Sequence, residues 1–281
     1  MTFLRRGVMA SLASLPFGGI LGGCSPASLL NVTVSRTGYR LEPDIAYGPL
    51  PRQTLDLYTP ETPRPDDKTV VFFYGGSWDS GSKSDYLFVA QALASHGIAV
   101  VVPDYRVYPA VRFPVFLEDA ALAVRWSADR VGTDKLFVMG HSAGGQIASM
   151  MAANTPYLAR AGVDRLKLRG LIGIAGPYDF LPLTSPRLIE IFGGARNREI
   201  QAITFAKAPL PPALLLHGES DSTVFLHNSI NLAKAWRDAG GSVDLKTYPG
   251  VGHVDIVAAF AGFLQGRAPT REDVLAWIDA H

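Results

Sequence analysis

A serine lies between two glycines in the stretch Gly140-His141-Ser142-Ala143-Gly144, directly after an apolar run and before an Ala-rich segment. The pattern Gly-x-Ser-x-Gly between a strand and a helix predicts a strained turn that only small neighbours allow. Such a turn lifts the hydroxyl towards a substrate carbonyl and a histidine, and the next helix points its positive N-terminal end there. We interpret Ser142 as a candidate nucleophile; the alternative is a structural turn with an inert serine.

A serine hydroxyl needs a base before it can attack a carbonyl. The sequence has six histidines, and His253 lies in the loop stretch Tyr-Pro-Gly-Val-Gly-His after the last predicted strand. Open α/β sheets build their sites at such strand ends, so His253 is the predicted base and a solvated loop histidine is the alternative. We expect His141 to point away from Ser142, and His217 to pack or to orient a loop.

The base in turn needs a carboxylate that orients it. Glu219 and Asp221 both follow a predicted strand, in the stretch Leu-Leu-Leu-His-Gly-Glu-Ser-Asp. Asp221 lies further into the loop, where it can turn back towards His253, so it is the predicted acid and Glu219 is the alternative. The chain order Ser142, Asp221, His253 is nucleophile, acid, base, which is the order expected of an α/β-hydrolase.

Acyl transfer also needs hydrogen-bond donors for the oxyanion that develops on the carbonyl oxygen. Ala143, directly after the serine, supplies one backbone N–H. The second source of donors is the stretch Tyr-Gly-Gly-Ser-Trp, residues 74–78, which follows a predicted strand. Its two glycines have no side chains, so a substrate can approach the backbone N–H groups. Gly76 and Ser77 are the predicted donors there, and an ordinary glycine turn is the alternative.

The elements that must position these residues alternate along the chain. Continuous apolar runs at 69–74 and 97–105 indicate strands buried on both faces of a parallel sheet. Further strands are predicted at 52–60, 135–139, 170–176, 213–218 and 243–248. Helical patterns occupy 84–96, 118–130 and 228–239, and a last helix begins at Thr270 with a capping-box-like partner at Asp273. This alternation predicts a doubly wound or barrel α/β fold, and the corner at Ser142 favours the open sheet.

Length and composition agree with a single α/β domain. The chain has 281 residues, a formal net charge of +1 and 48% hydrophobic residues. This hydrophobic content excludes a disordered chain, and the absence of a basic excess excludes a nucleic-acid-binding protein. No linker-like gap interrupts the alternating patterns, which favours one domain over two.

The first residues have the pattern of a removable export signal. A basic start at Arg5 and Arg6 precedes an apolar small-residue stretch of marginal length for a membrane span. Residues 21–24, Leu-Gly-Gly-Cys, resemble the lipobox of bacterial lipoproteins, in which the cysteine carries the lipid. Cys24 is the only cysteine, so no internal disulfide is possible. We expect residues 1–23 to be a signal peptide and Cys24 to be lipidated on the periplasmic side of a bacterial membrane.

Two alternatives stay open for this start: an ordinary signal peptide with a coincidental cysteine, or a plain membrane anchor. The Arg5-Arg6 pair also fits twin-arginine export, so the export route stays open too. On these boundaries residues 24–45 form a tether and a first edge strand, and residues 46–281 form the catalytic domain.

Several blocks resemble the α/β-hydrolase superfamily, in particular its esterase branch of hormone-sensitive-lipase-like carboxylesterases and kynurenine formamidases. The blocks include Leu-Asp-Leu-Tyr-Thr-Pro, Tyr-Gly-Gly-Ser-Trp, Gly-His-Ser-Ala-Gly-Gly and Gly-Pro-Tyr-Asp-Phe-Leu-Pro, in family order from about residue 47 onwards. The resemblance implies a mostly parallel, doubly wound sheet of about eight strands with helices on both faces. It also implies a catalytic triad of Ser142, Asp221 and His253.

The chain departs from this family pattern at the oxyanion block. The block usually begins with histidine, where this chain has Tyr74, and Ser77 replaces its third glycine. Because two glycines remain, we expect the oxyanion hole to survive, while Tyr74 changes how the loop is anchored or what the acyl pocket accepts. By the same resemblance, Asp104, Tyr105 and Arg106 are expected to be structural.

The expected reaction is hydrolysis of carboxylic esters with small to medium acyl groups, through an acyl-enzyme and without a metal or organic cofactor. A kynurenine-formamidase-like arylformamide hydrolase is the alternative within enzymes, and a catalytically inactive binding protein of this fold is the alternative outside them. The expected partner is a small-molecule ester or amide, with membrane contact only through the lipid anchor; the oligomeric state stays open. Residues 177–208 are expected to form a short lid over the acyl pocket, or else a scaffold helix with its loops.

Overall fold

The computed structural model describes residues 30–66, 68–153 and 155–281. The predicted signal peptide, residues 1–23, and the predicted lipidation site, Cys24, lie outside the described residues. Within the described ranges, no helix combines the length and the apolar character that crossing a membrane would need.

One sheet organises the fold. Its strands are β1 (Tyr39–Ala46), β2 (Thr54–Pro60), β3 (Thr69–Phe73), β4 (Ala99–Pro103), β5 (Leu136–His141), β6 (Gly170–Ile174), β7 (Ala213–Gly218) and β8 (Val243–Tyr248). They lie in the order β1-β2-β4-β3-β5-β6-β7-β8. β2 is antiparallel to both neighbours, and every other neighbouring pair is parallel. The predicted open, mostly parallel sheet of eight strands is confirmed.

Burial along the strands explains the two kinds of strand pattern in the sequence. Every residue of β3, β5, β6 and β7, in the middle of the sheet, is buried. A parallel sheet covered on both faces leaves no polar side to its central strands, so their sequences are continuously apolar. The edge strands differ: β1 buries only Tyr39, and β8 buries Val243 and Tyr248 at its two ends.

Helices pack against this sheet between the strands. The α-helices are α1 (Leu87–Ala94), α2 (Val115–Val131), α3 (Ala143–Ala152), α4 (Tyr157–Arg160), α5 (Pro186–Phe192), α6 (His227–Asp238), α7 (Asp255–Ala258) and α8 (Thr270–Ala280). Short 3-10 helices lie at Asn31–Thr33, Lys83–Tyr86, Thr133–Lys135, Arg165–Lys167, Arg198–Ile200, Ala202–Phe205 and Gly262–Arg267. The pattern predicted at 84–96 is therefore a 3-10 turn followed by α1, whereas α2 and α6 agree with prediction to within a few residues.

The capping box predicted at the start of the last helix is wrong. Pro269 occupies the N-cap position of α8, and no side chain caps the helix there. The Asp273 carboxylate is used elsewhere: it accepts hydrogen bonds from Lys246 Nζ at 2.6 Å and from the Tyr248 hydroxyl at 2.7 Å. Contacts with β8 thus replace the local capping interaction that the sequence pattern indicates.

The segment 177–208 joins β6 to β7 and was open to two interpretations, lid or scaffold. Its inner residues Ile191, Phe192 and Ile200 are buried in the hydrophobic core. The Ile200 carbonyl also accepts a hydrogen bond from the buried Gln146 amide at 2.7 Å. The segment is therefore anchored in the core at these residues, while its residues 179–185 line a cleft that also contains Ser142.

Candidate active site

The turn between β5 and α3 holds Ser142 at φ 56° and ψ −124°. Such a backbone conformation costs a non-glycine residue about 1–3 kcal/mol. A Cβ at Gly140 would collide with the Gly144 carbonyl, and a Cβ at Gly144 would collide with the Phe73 carbonyl. Both glycines are therefore required by the close approach of strand and helix, and they leave Ser142 at the N-cap of α3.

Hydrogen bonds join three side chains from three loops at the carboxyl edge of the sheet. His253 Nε2 lies 2.9 Å from Ser142 Oγ, and His253 Nδ1 lies 2.7 Å from Asp221 Oδ2. An ionised carboxylate can only accept, so Nδ1 carries the imidazole proton and Nε2 accepts from the Ser142 hydroxyl. In this tautomer the imidazole can take the serine proton when the hydroxyl attacks a carbonyl.

Asp221 is buried but held in its ionised form. Its Oδ1 accepts the backbone N–H groups of Thr223 and Val224, each at 2.8 Å. Burial raises the pKa of Asp221, but two neighbouring histidines and the hydrogen bond from the Val224 N–H outweigh burial and hold that pKa well below its usual range. The histidines are His253 and His217, whose Nε2 lies 3.5 Å from Asp221 Oδ2. A group that must orient an imidazole needs this permanent negative charge.

His217 belongs to the support of the Asp221 loop and does not reach Ser142. Its Nδ1 lies 2.7 Å from Ser229 Oγ, and its Nε2 lies 2.8 Å from the Val224 carbonyl. This agrees with the loop-orienting role expected from its place at the end of β7. Glu219, the alternative acid, accepts instead from Thr247 Oγ1 at 2.8 Å on the exposed side of the loop.

The loop after β3 has three consecutive residues with positive φ: Gly76 at 134°, Ser77 at 50° and Trp78 at 60°. The Gly76 carbonyl closes the loop by accepting the Ser80 N–H at 3.0 Å. A Cβ at the preceding Gly75 would lie 3.0 Å from Ser142 Cβ, so this loop runs directly beside the serine.

The three predicted oxyanion donors differ in their placement. Ser77 and Ala143 line the same cleft as Ser142, whereas Gly76 lies one residue behind Ser77 and is not among the lining residues. Across the part of the chain that the structure describes, no protein acceptor takes the backbone N–H of Gly76, Ser77 or Ala143. The Ala143 N–H is also one of the free donors at the start of α3.

Tyr74, the departure from the family pattern, anchors this loop. Its buried hydroxyl donates to Asp104 Oδ1 at 2.8 Å, and its ring stacks on Tyr105 with centroids 4.6 Å apart. The Tyr105 hydroxyl donates in turn to the Tyr74 carbonyl at 2.7 Å. The fully buried Asp119 carboxylate accepts three hydrogen bonds from Arg106, two from the guanidinium and one from the backbone N–H. Asp104, Tyr105 and Arg106 thus make structural contacts, as expected, and none of them lines the cleft with Ser142.

The cleft in front of Ser142 has a volume of about 470 Å³. Trp78 forms one aromatic wall, because its ring stacks on Phe180 at 6.0 Å and meets Phe192 edge-on at 4.8 Å. The Trp78 Nε1–H is satisfied by Gln146 Oε1 at 3.1 Å, which fixes the indole. The cleft is also lined by residues 223–225 of the Asp221 loop and by His227 and Asn228 at the start of α6.

Two residues beside this site carry roles that the sequence patterns do not indicate. His141 does point away from the Ser142 hydroxyl, but its Nε2 lies 3.0 Å from the His253 carbonyl. Tyr86 lies in a stretch whose sequence predicts only a helix, but its hydroxyl is 3.4 Å from His141 Nδ1. For these roles the sequence offered one signal, which is the position of His141 inside the serine motif.

A sequence profile of the BD-FAE family matches residues 55–236, which is more than half of the chain. The chain belongs to the BD-FAE family. The stretch that matches the BD-FAE profile includes Ser142 and Asp221 and ends before His253.

Relatives and structural neighbours of this BD-FAE member include named esterases. It is 28% identical over 267 residues to a probable isoprenylcysteine alpha-carbonyl methylesterase of Oryza sativa subsp. japonica, covering 84% of this chain and 63% of that relative. It is 25% identical over 225 residues to kynurenine formamidase of Danio rerio, covering 76% of this chain and 75% of that protein. The solved structure of esterase B from Lactobacillus rhamnosis shares the fold with a TM-score of 0.75, at 23% identity, and covers 90% of this chain and 91% of that one.

Proposed function

We propose that this protein hydrolyses carboxylic esters with small to medium acyl groups through an acyl-enzyme on Ser142. The observation that carries the proposal is the hydrogen-bond chain from Asp221 through His253 to Ser142, with lengths of 2.7 Å and 2.9 Å. Membership of the BD-FAE family and the esterases among its relatives support the same reaction class.

Each step has a named group in this site. His253 takes the Ser142 proton as Oγ attacks the ester carbonyl, and Asp221 stabilises the imidazolium that forms. The predicted donors that line the cleft, the N–H groups of Ser77 and Ala143, bind the oxyanion of the tetrahedral intermediate. His253 then protonates the leaving alcohol, and a water molecule repeats the sequence to release the acid.

The preference for small to medium acyl groups rests on the shape of the cleft. The volume of about 470 Å³ is shared by the acyl and leaving groups, and the Trp78 wall is fixed by stacking on Phe180. The segment 177–208 is anchored in the core by Ile191 and Phe192, which restricts how far this wall can open. A long acyl chain would therefore have to extend out of the cleft.

A panel of p-nitrophenyl esters tests this proposal. We expect kcat/KM to be highest for acetate and butyrate and to fall for dodecanoate. Ser142→Ala is expected to abolish turnover, and the exposed Ser35→Ala serves as the matched control with wild-type rates. Equal rates for wild type and Ser142→Ala would contradict the proposal and favour an inactive binding protein of this fold.

N-formylkynurenine tests the second candidate function, arylformamide hydrolysis. The candidate rests on the similarity to kynurenine formamidase of Danio rerio. We expect a kcat/KM for N-formylkynurenine well below that for p-nitrophenyl butyrate. The reverse order would replace the esterase assignment, although the same three side chains would act.

We propose also that Cys24 carries a lipid that holds the protein on the periplasmic side of a bacterial membrane. The support is the stretch Leu-Gly-Gly-Cys and the position of the only cysteine. Labelling cells with an alkyne-bearing palmitate is expected to mark the wild-type protein and not Cys24→Ala. Equal labelling of both would contradict a lipid at this cysteine.

A further inference from the structure

A buried imidazole lies behind the candidate triad without touching the serine hydroxyl. His141 is the last residue of β5 and is buried, with 4% exposure. Its ring centroid is 4.9 Å from that of His253. The mechanism proposed above does not use it. A buried polar side chain without hydrogen-bond partners is unfavourable. The partners of His141 therefore indicate which parts of the site it holds in place.

The partners of His141 lie on both sides of the site. Its Nε2 is 3.0 Å from the carbonyl oxygen of His253, and its Nδ1 is 3.4 Å from the Tyr86 hydroxyl. The same hydroxyl is 3.3 Å from the backbone nitrogen of Gly75, the residue before the predicted oxyanion donors. One imidazole and one phenol thus connect the loop of the base with the loop of the oxyanion donors.

The direction of every hydrogen bond in this chain can be assigned. The His253 carbonyl can only accept, so His141 Nε2 carries the proton and Nδ1 is an acceptor. The Tyr86 hydroxyl accepts the Gly75 N–H and donates its own proton to that Nδ1. Burial, followed by the neighbouring His253, lowers the pKa of His141 to about 3, so the ring stays neutral as this assignment requires.

We infer that His141 and Tyr86 are positioning residues that hold the base and the oxyanion loop at fixed distances from the nucleophile. His141 is bonded covalently to Ser142, so any shift of the serine is transmitted to the carbonyl of His253. The Gly75 N–H is held through Tyr86, and Gly76 and Ser77 follow directly in the chain. This inference rests on the proposed function, because both groups act only if Ser142 attacks a carbonyl.

The variants separate hydrogen bonding from packing. His141→Phe keeps a ring of similar size but removes both hydrogen bonds, whereas His141→Gln keeps an N–H near the position of Nε2. We expect His141→Phe to lower kcat on p-nitrophenyl butyrate about 10- to 100-fold with KM nearly unchanged, because small displacements of reacting groups have effects of this size. His141→Gln is expected to recover most of that loss.

Tyr86→Phe provides a second variant that keeps the packing. We expect a smaller loss of kcat than for His141→Phe, and a double variant no worse than His141→Phe alone, because both act through one chain of hydrogen bonds. Tyr58→Phe, in the buried part of β2, is the matched control with unchanged kcat. Equal losses in His141→Phe and His141→Gln, or additive losses in the double variant, would overturn the inference.

A readout that needs no substrate distinguishes this inference from the proposed function. In ¹⁵N-histidine NMR spectra we expect His141 to be the neutral Nε2–H tautomer at pH 5, with an Nδ1 shift that changes in Tyr86→Phe. A protein inactive on every ester but with this signature would contradict the proposed function and leave the hydrogen-bond chain intact. An Nδ1–H tautomer, or no response to Tyr86→Phe, would overturn the positioning role.

Discussion

Two cavities of comparable size lie at opposite ends of the sheet. The cleft of about 470 Å³ contains Ser142, beyond the carboxyl end of β5. The other, about 370 Å³, lies at the amino ends of β3 and β4, beside Thr69 and Ala99. Of these two, only the first contains the serine, so strand direction and not cavity size decides where an α/β sheet can place its chemistry.

The two ends also use charge differently. Lys68 lines the amino-end cavity, and its buried ammonium donates to the Ile278 carbonyl at 2.7 Å and pairs with Asp66 at 2.9 Å. The Ile278 carbonyl is one of the last of α8, where the helix carries negative partial charge. At the carboxyl end, the start of α3 presents a backbone donor at Ala143 that no protein group within the described residues takes up. At the amino end the charged groups are paired and stabilise the fold. At the carboxyl end the Ala143 backbone donor stays available for a ligand.

The largest expected effect is at the carboxyl end. Ser142→Ala removes the nucleophile, and we expect kcat on p-nitrophenyl butyrate to fall by about 10⁴-fold or more. Thermal unfolding should show a melting temperature no lower than that of wild type, because alanine fits the tight turn and loses no buried hydrogen bond to the backbone. Activity retained at one tenth of wild type would mean that the cleft has another nucleophile.

Asp221→Asn is expected to have the next largest effect, about 10³- to 10⁴-fold on kcat. An amide can donate to His253 Nδ1, which would place the imidazole proton on Nε2 and prevent that nitrogen from accepting the serine proton. Steady-state kinetics from pH 6 to pH 9 should show the loss throughout this range. Glu219→Gln is the control with near wild-type activity; a larger loss there would reassign the acid.

We also expect the free energy of unfolding to depend on pH more through the carboxyl end of the sheet than through its amino end. The pKa of His141 is lowered to about 3 in the fold, while an unfolded histidine titrates near 6.5. Below pH 6.5 the unfolded chain binds a proton that the folded one does not, so the free energy of unfolding falls as pH falls, by up to about 1.4 kcal/mol per pH unit. Urea unfolding from pH 7.5 to pH 4.5 should give a shallower fall for His141→Phe than for wild type or the exposed His96→Phe.

The smallest expected effect is at the amino end. Lys68→Met removes an ammonium from three acceptors, which are the carbonyls of Ile278 and Asp279 and the carboxylate of Asp66. Leaving a buried carbonyl group unpaired costs about 1–3 kcal/mol. For a domain of this size the melting temperature should fall by roughly 2–4 °C per kcal/mol, with kcat and KM unchanged. A change in kcat would show that the two ends are coupled.

Local patterns predicted the parts of this protein that depend on neighbours in sequence. The apolar run at 69–74 became the buried strand β3, and the corner at Ser142 became a strand–helix turn because Gly140 and Gly144 permit close backbone approach. The capping box at Thr270 failed, because Asp273 makes its contacts with β8. The capping-box pattern applies to isolated helices, but here contacts of Asp273 with β8 take the place of the local capping interaction.

The sequence by itself determined the strand series, the serine turn and the order of the candidate nucleophile, acid and base, because these follow from residue type and short spacing. The sequence favoured Asp221 over Glu219 as the acid, but only the tertiary structure showed which carboxylate faces His253. It alone also showed that Tyr86 and His141 lie between two loops. His141 and the His253 carbonyl are 112 residues apart in the chain. Such contacts arise from the arrangement of strands in the sheet, and no local pattern carries that information.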